Sequence, residues 1–220
     1  MLYLAFHGDW LAKAKAEVNT LIQKYTTAST SESLTKRLSA IPLSAWETEM
    51  PILELVIRET IRITATGAAL RRNVLEDISF SGGIVKPGEF VTYSLGDAHM
   101  NPEIYPQPDL FDPDRYTAGR EEDKKSALAY LGWGGGMCFR RCVSISPPDL
   151  KYCDACITGR HVCSGMKIAK LEIKMIVTCM LAGFEFSIVD RSGQRPKQLP
   201  RPNRNDLLQV SLIFFFSAGL

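Results

Sequence analysis

The chain has 220 residues, 45% of them hydrophobic, with 26 Lys and Arg against 24 Asp and Glu for a net charge of +2. That length and apolar content suffice for a substantial core. The near-balanced, interspersed charge and the absence of a basic stripe with interleaved aromatics exclude a nucleic-acid binder.

The opening MLYLAFHGDW has no basic segment before its short apolar run and no small-residue cleavage site, so it is not a signal peptide. Asp9 is placed to cap a helix carrying Leu11, Ala14, Val18 and Leu21 at helical spacing. The polar run 26–36 reads as a loop. Pro51 suits a first helical turn, after which Ile52, Leu53, Val56, Ile57, Thr60 and Ile61 mark one face of a strong helix. From residue 71 the texture changes to short strands and turns: ISF, SGG, IV, KPG, FVTYSL. Residues 97–116 carry Pro102, Pro106, Pro108 and Pro113 and predict an ordered meander without regular structure. After Gly165, MKIAKLEIKMIVTCML is helical and apolar on more than one face, which predicts burial, and GFEFSIVD reads as a strand. Helices and short strands alternate without a βαβ rhythm, so the class is mainly α with minor β. No stretch reaches the length of a membrane span, the C-terminal SLIFFFSAGL included. The expectation is a soluble or peripheral, intracellular chain.

Residues 137–159 break this pattern. They hold Cys138, Cys142, Cys153 and Cys156, four of the six cysteines, and two adjacent prolines between a glycine-rich run and a helix start. Without a secretory signal, a disulfide framework is not expected. The two cysteine pairs could supply four thiolates to a tetrahedral zinc, although the first pair is loosely spaced and no His accompanies them. Otherwise the segment is read-through: Gly136-Met137-Cys138 can be encoded with a GTATGT splice donor and Thr158-Gly159 with an acceptor in matching phase. Val210-Ser211 can likewise begin a read-through tail over 210–220.

Three motifs carry the chemistry. Glu59 and Arg62 lie three apart on one helix and can pair, although a lone pair of this kind is usually a solvated surface contact. Phe111 and Tyr116 flank Pro113-Asp114-Arg115. Cys163 directly precedes a helix, whose N-terminal amides favour a thiolate, and Gly165 would allow close backbone approach to a flat ligand. A single cysteine in such a place is more often a small buried hydrophobe. In this order and spacing, however, the motifs resemble the cytochrome P-450 haem-thiolate monooxygenases, fungal type. That family has an E-x-x-R helix, an F-x-P-x-R-[FY]-like meander motif and F-x-x-G-x-[RH]-x-C-x-G around its haem ligand. Removing residues 137–159 joins Trp133-Gly134-Gly135-Gly136 to Arg160-His161-Val162-Cys163-Ser164-Gly165 and restores the third motif, with Trp in place of Phe.

The resemblance spans the C-terminal part of the P-450 fold and implies a haem-dependent monooxygenase that inserts one oxygen atom of O2 into an organic, lipophilic or sterol-like substrate. It implies haem as the cofactor and an NADPH-dependent reductase as electron donor. Cys163 would be the axial ligand to iron, Arg72 and His161 would meet the haem propionates, and Gly136 and Gly165 would shape the thiolate loop. Glu59, Arg62 and Arg115 would form a structural charge triad. His161 also fits an ordinary loop histidine. By the resemblance, the membrane anchor, the distal proton-delivery helix and most substrate-recognition segments belong before Met1, so no catalytic residue is assigned. Intact relatives would sit on the endoplasmic reticulum membrane. The expectation is one truncated domain over 1–220, an incomplete form of the enzyme. The alternative is a non-enzymatic chain whose insert binds zinc or a protein partner.

Overall fold

The computed structural model describes residues 1–26, 32–65, 68–80, 82–126, 129–133, 163–190 and 192–199. These divide into two compact units, one built on Met1–Thr60 and Gly165–Pro202, the other on Ile61–Ser164. The insert, the 210–220 tail, Gly136 and His161 lie outside the described residues.

The first unit is helical. A short helix α1 (Leu2–Phe6) runs through His7 into α2 (Gly8–Tyr25). Asp9 is not the cap expected of it: His7 holds that position, and Asp9 lies inside the first turn, where its charge complements the helix dipole. The buried stripe is Trp10, Ala14, Val18, Leu21 and Ile22. The bulkier Trp10 takes the place in the core expected of Leu11, which is only partly covered. The predicted loop 26–36 ends early, because the Ser33 hydroxyl accepts the Lys36 N–H and caps α3 (Leu34–Ser39); residues 27–31 are outside the described set. A further short helix, α4 (Leu43–Thr48), follows Pro42 and buries Ala45 and Trp46.

Helix α5 (Pro51–Thr64) begins at the proline as expected. Its first amides are capped from outside: the Glu17 carboxylate on α2 accepts from the N–H of Ile52 at 2.6 Å and of Leu53 at 3.0 Å. Burial raises the Glu17 pKa above its ordinary value, and the two amides offset that only in part. Glu17→Ala is expected to cost about 1–2 kcal/mol, the scale of a lost cap, read as a lower urea midpoint; an unchanged midpoint would mean that water satisfies these amides equally well.

The last helix, α7 (Met166–Gly183), packs on α2, α3 and α4. The expectation that it is buried on several faces is not met. Lys174, Val177, Thr178 and Leu181 form a single buried stripe, while Ile168 and Ile176 are 64% and 63% exposed. Lys174 is buried because it has partners: Nζ donates to the carbonyls of Trp46 and Glu47 at the end of α4 and pairs with Glu54, 3.3 Å away. Over the described residues 184–190 there is no continuous strand, only isolated bridge residues at Glu185 and Ile188, so the predicted 183–190 strand is not formed. A strand requires a ladder partner, and the four strands among the described residues pair with one another.

The second unit carries those strands. β1 (Ala68–Arg72) pairs antiparallel with β4 (Phe90–Ser94), with Arg72 opposite Phe90, and β2 (Ile78–Phe80) pairs with β3 (Gly83–Val85). Asn73 joins the two ribbons: its amide nitrogen donates to the carbonyls of Glu76 and Val85, and its side-chain oxygen accepts the Leu75 N–H. Gly88, at φ +93°, turns the chain into β4. The strand expected to run through Leu95 stops at Ser94, whose hydroxyl accepts the Asp97 N–H and starts α6 (Leu95–His99). The proline-rich meander follows, regular only in two 3₁₀ turns, Pro113–Tyr116 and Glu122–Lys124.

Candidate functional site

Two buried guanidinium groups organise the meander. Arg62, in the last turn of α5, is 0% exposed; it donates from Nη1 to the His99 carbonyl at 2.8 Å and from Nη2 to the carbonyls of Pro108 at 2.7 Å and Leu110 at 3.3 Å. Its guanidinium also lies over the Tyr105 ring, 5.0 Å from the centroid. Arg115, 1% exposed, donates to the carbonyls of Pro106 at 2.6 Å, Gln107 at 2.8 Å and, at 3.4 Å, the same Leu110. A chain with so many prolines cannot satisfy its carbonyls by regular ladders. The arginine forks do that work instead, with up to five donors each.

The charge of Arg115 is met by the buried Glu122 carboxylate at 2.8 Å. Glu122 in turn bonds Arg120 at 2.7 Å, and Arg120 reaches Asp112 at 2.7 Å. Burial works against the Glu122 carboxylate, but the hydrogen bonds and charges of Arg115 and Arg120 outweigh it and hold its pKa below the ordinary glutamate value. Sequence reasoning missed Glu122, because the run Arg120-Glu121-Glu122-Asp123-Lys124-Lys125 has the look of a solvated charged face.

After the meander, residues 129–133 form a strap. The Ala129 carbonyl accepts from the Tyr105 hydroxyl at 2.9 Å, and the Leu131 N–H donates to His99 Nε2 at 2.8 Å. Gly132 passes so close to α5 that a Cβ there would stand 2.4 Å from Ile61 Cγ2 and 2.6 Å from Tyr130 Oη. Gly132→Ala is therefore expected to destabilise the chain by about 1–3 kcal/mol, with Ile61→Ala recovering part of the loss in thermal unfolding; an unshifted midpoint would show that the strap can move aside. In the same stretch, the Trp133 carbonyl accepts the Cys163 N–H at 2.8 Å. Trp133 and Cys163 thus meet, although residues 134–162 lie between them in sequence. Cys163 is a free, exposed thiol just ahead of α7.

The family model for cytochrome P450 matches residues 1–143 and 158–211. The chain belongs to the cytochrome P450 family. The internal stretch left out of the P450 match, 144–157, falls within the interruption read from the sequence at 137–159, and residues 212–220 also lie outside the match. A cytochrome P450 monooxygenase of Aspergillus aculeatus, AacuE, is 32% identical over 194 residues, covering 87% of this chain and 34% of that protein. An obtusifoliol 14-alpha demethylase of Triticum aestivum is 34% identical over 147 residues, covering 64% of this chain and 27% of the relative. Among solved structures, a retinoic acid bound cyanobacterial CYP120A1 shares the fold with a TM-score of 0.61 at 24% identity, covering 93% of this chain and 39% of that one. The chain spans about a third of the length of the curated P450 relatives it matches.

P450 membership implies a haem cofactor, and the Cys163 thiol has the chemistry to fit one: it is outside any disulfide and exposed, with its backbone tied to the strap. Of the other residues expected at the haem, Arg72 ends β1 with its side chain exposed, Nε donating to the Gly88 carbonyl at 3.3 Å and the guanidinium 5.8 Å from the Phe90 ring centroid. Gly165 caps α7 with φ −83°, a conformation open to any residue, so any special need for glycine there is one of space. Glu59 is fully buried on α5, as are Arg62 and Arg115. Among the described residues no cluster of three or more His, Cys, Asp or Glu could hold a separate metal ion, and the four insert cysteines lie outside that set. No helix among the described residues is long and apolar enough to cross a membrane.

Proposed function

We propose that this chain supplies the thiolate side of a haem-dependent P450 monooxygenase, with Cys163 as the axial ligand to iron. The observation that carries this reading is the 2.8 Å hydrogen bond from the Cys163 N–H to the Trp133 carbonyl, which brings together the two halves of the haem-ligand signature. In this reading Arg72 and His161 receive the haem propionates through charge-assisted hydrogen bonds, and Gly136 and Gly165 leave room for the backbone to approach the ring. Glu59, Arg62 and Arg115 act as a charge triad that sets the meander, a role supported by the burial of all three. When bound, the haem supplies oxygen activation, and electron donation from the thiolate favours O–O cleavage. The protein's own part is to present the sulfur, fix its backbone through the strap, and hold the propionates by their charge. The substrate class is a small lipophilic molecule, sterol-like ones included, for which the name of the wheat relative offers support. Electrons come from an NADPH-dependent reductase.

The test is a carbon monoxide difference spectrum on haem-loaded protein. Cys163→Ser should abolish the thiolate-type band, while Cys179→Ser, which alters the other exposed thiol among the described residues, should leave it. A band that survives Cys163→Ser would remove the axial-ligand assignment.

A further inference from the structure

We propose that His99 is a positioning residue for the thiolate loop, tying the buried Arg62 to the strap that holds the Cys163 backbone. This inference rests on the reading of Cys163 as the iron ligand. His99 is the last residue of α6 and is fully buried. Its carbonyl is one of those a helix end leaves without an intrahelical partner, and Arg62 Nη1 takes it at 2.8 Å. On the other side of the residue, Nε2 accepts the Leu131 N–H at 2.8 Å. A ring nitrogen that accepts carries no hydrogen, so this bond requires the neutral imidazole with its proton on Nδ1. The ring is also stacked on Tyr130, with centroids 5.3 Å apart and planes at 25°, and Tyr130 meets the edge of Tyr116 in the meander at 6.0 Å.

One side chain therefore fixes the strap in two ways, by a hydrogen bond to the backbone at 131 and by ring contact at 130. The Leu131 side chain is buried, so the Leu131 amide has little access to water in place of the histidine. Two residues further on, the Trp133 carbonyl receives the Cys163 N–H. The resulting chain of contacts is Arg62 guanidinium to His99 carbonyl, His99 ring to Leu131 amide, and Trp133 carbonyl to Cys163 amide. A shift of the strap at 131 displaces the carbonyl that sets where the sulfur stands. His99 touches neither the sulfur nor the haem plane in this scheme and acts through the backbone it holds.

The experiment compares His99→Gln with His99→Leu in the 220-residue chain, following hydrogen exchange at individual amides. Gln can bring Oε1 to the place of Nε2 and accept the Leu131 N–H; Leu fills similar space without an acceptor. His99→Leu should speed exchange at Leu131 roughly 5- to 100-fold and carry a smaller, clear acceleration to Cys163, with Val177 and Leu181 of α7 unchanged. His99→Gln should restore most of the protection at both. Should His99→Leu fail to fold, His99→Asn replaces it, because its oxygen falls short of the Leu131 amide. Acceleration confined to Leu131, or equal exchange in the Gln and the acceptor-less variant, would overturn the proposal. The readout requires no haem. A failure of the axial-ligand reading is seen separately, as a thiolate band that survives Cys163→Ser.

Discussion

Arg115→Met is expected to cost about 3 kcal/mol or more at neutral pH, the scale of breaking a buried ion pair from one side. Methionine can fill much of the space but donates nothing. The carbonyls of Pro106 and Gln107 lose their guanidinium donor, and Glu122, a buried carboxylate, keeps only Arg120. The loss should depend on pH in a defined direction. The folded-state pKa of Glu122 lies below its unfolded value near 4.5, so its contribution is fully present above that value and fades as pH falls through the folded-state pKa. The wild-type chain should therefore lose stability in acid over that window. The gap between wild type and Arg115→Met should narrow there, because a protonated Glu122 no longer needs the missing charge. Urea midpoints of the two proteins from neutral pH down to about pH 3, below the ordinary glutamate pKa, would show this. A gap that stays constant would mean that the carbonyl bonds, rather than the Glu122 pair, account for the loss.

The second large effect is expected from deleting residues 137–159. Cys163 already meets the Trp133 carbonyl with 134–162 between them, so the contact is closed across a long connection. Deletion leaves only 134–136 and 160–162 to span it. In the flexible-chain limit, the shorter closure is favoured by about 1.4 kcal/mol, or roughly tenfold in the closed population. Amide exchange at Cys163 should slow by about that factor if opening of this contact governs it, and the thiolate band on haem loading should strengthen. Its full strength is expected when the shortened chain is joined to the remaining portion of a relative's domain, given that this chain spans about a third of such proteins. A full-strength band from the uninterrupted 220 residues would show that the insertion leaves the site intact.

Much of this was legible in the residues themselves. The start of α5 at Pro51 and its buried Leu53, Val56 and Ile57 follow from backbone chemistry and from spacing along a single element. The resemblance to the family's cysteine motif could be read because its two halves keep their order on either side of residues 137–159, and in the structure the Cys163 N–H bonds the Trp133 carbonyl. Other features were decided by contacts between residues far apart in sequence. Glu17 caps a helix that begins 34 residues later, at Pro51, and no local pattern distinguishes it from a solvated glutamate. Nothing in the local sequence marks His99 or Glu122 as buried: His99 takes the amide of Leu131, 32 residues on, and Glu122 takes the guanidinium of Arg115, which the turns of the meander bring back to it. The face of α7 went the other way. Its composition predicted burial on more than one face, but only the stripe of Lys174, Val177, Thr178 and Leu181 is buried. Periodicity along a chain states which side chains share a face; which face is covered, and which buried polar group finds a partner, is settled only when the elements pack, because both depend on where other segments lie.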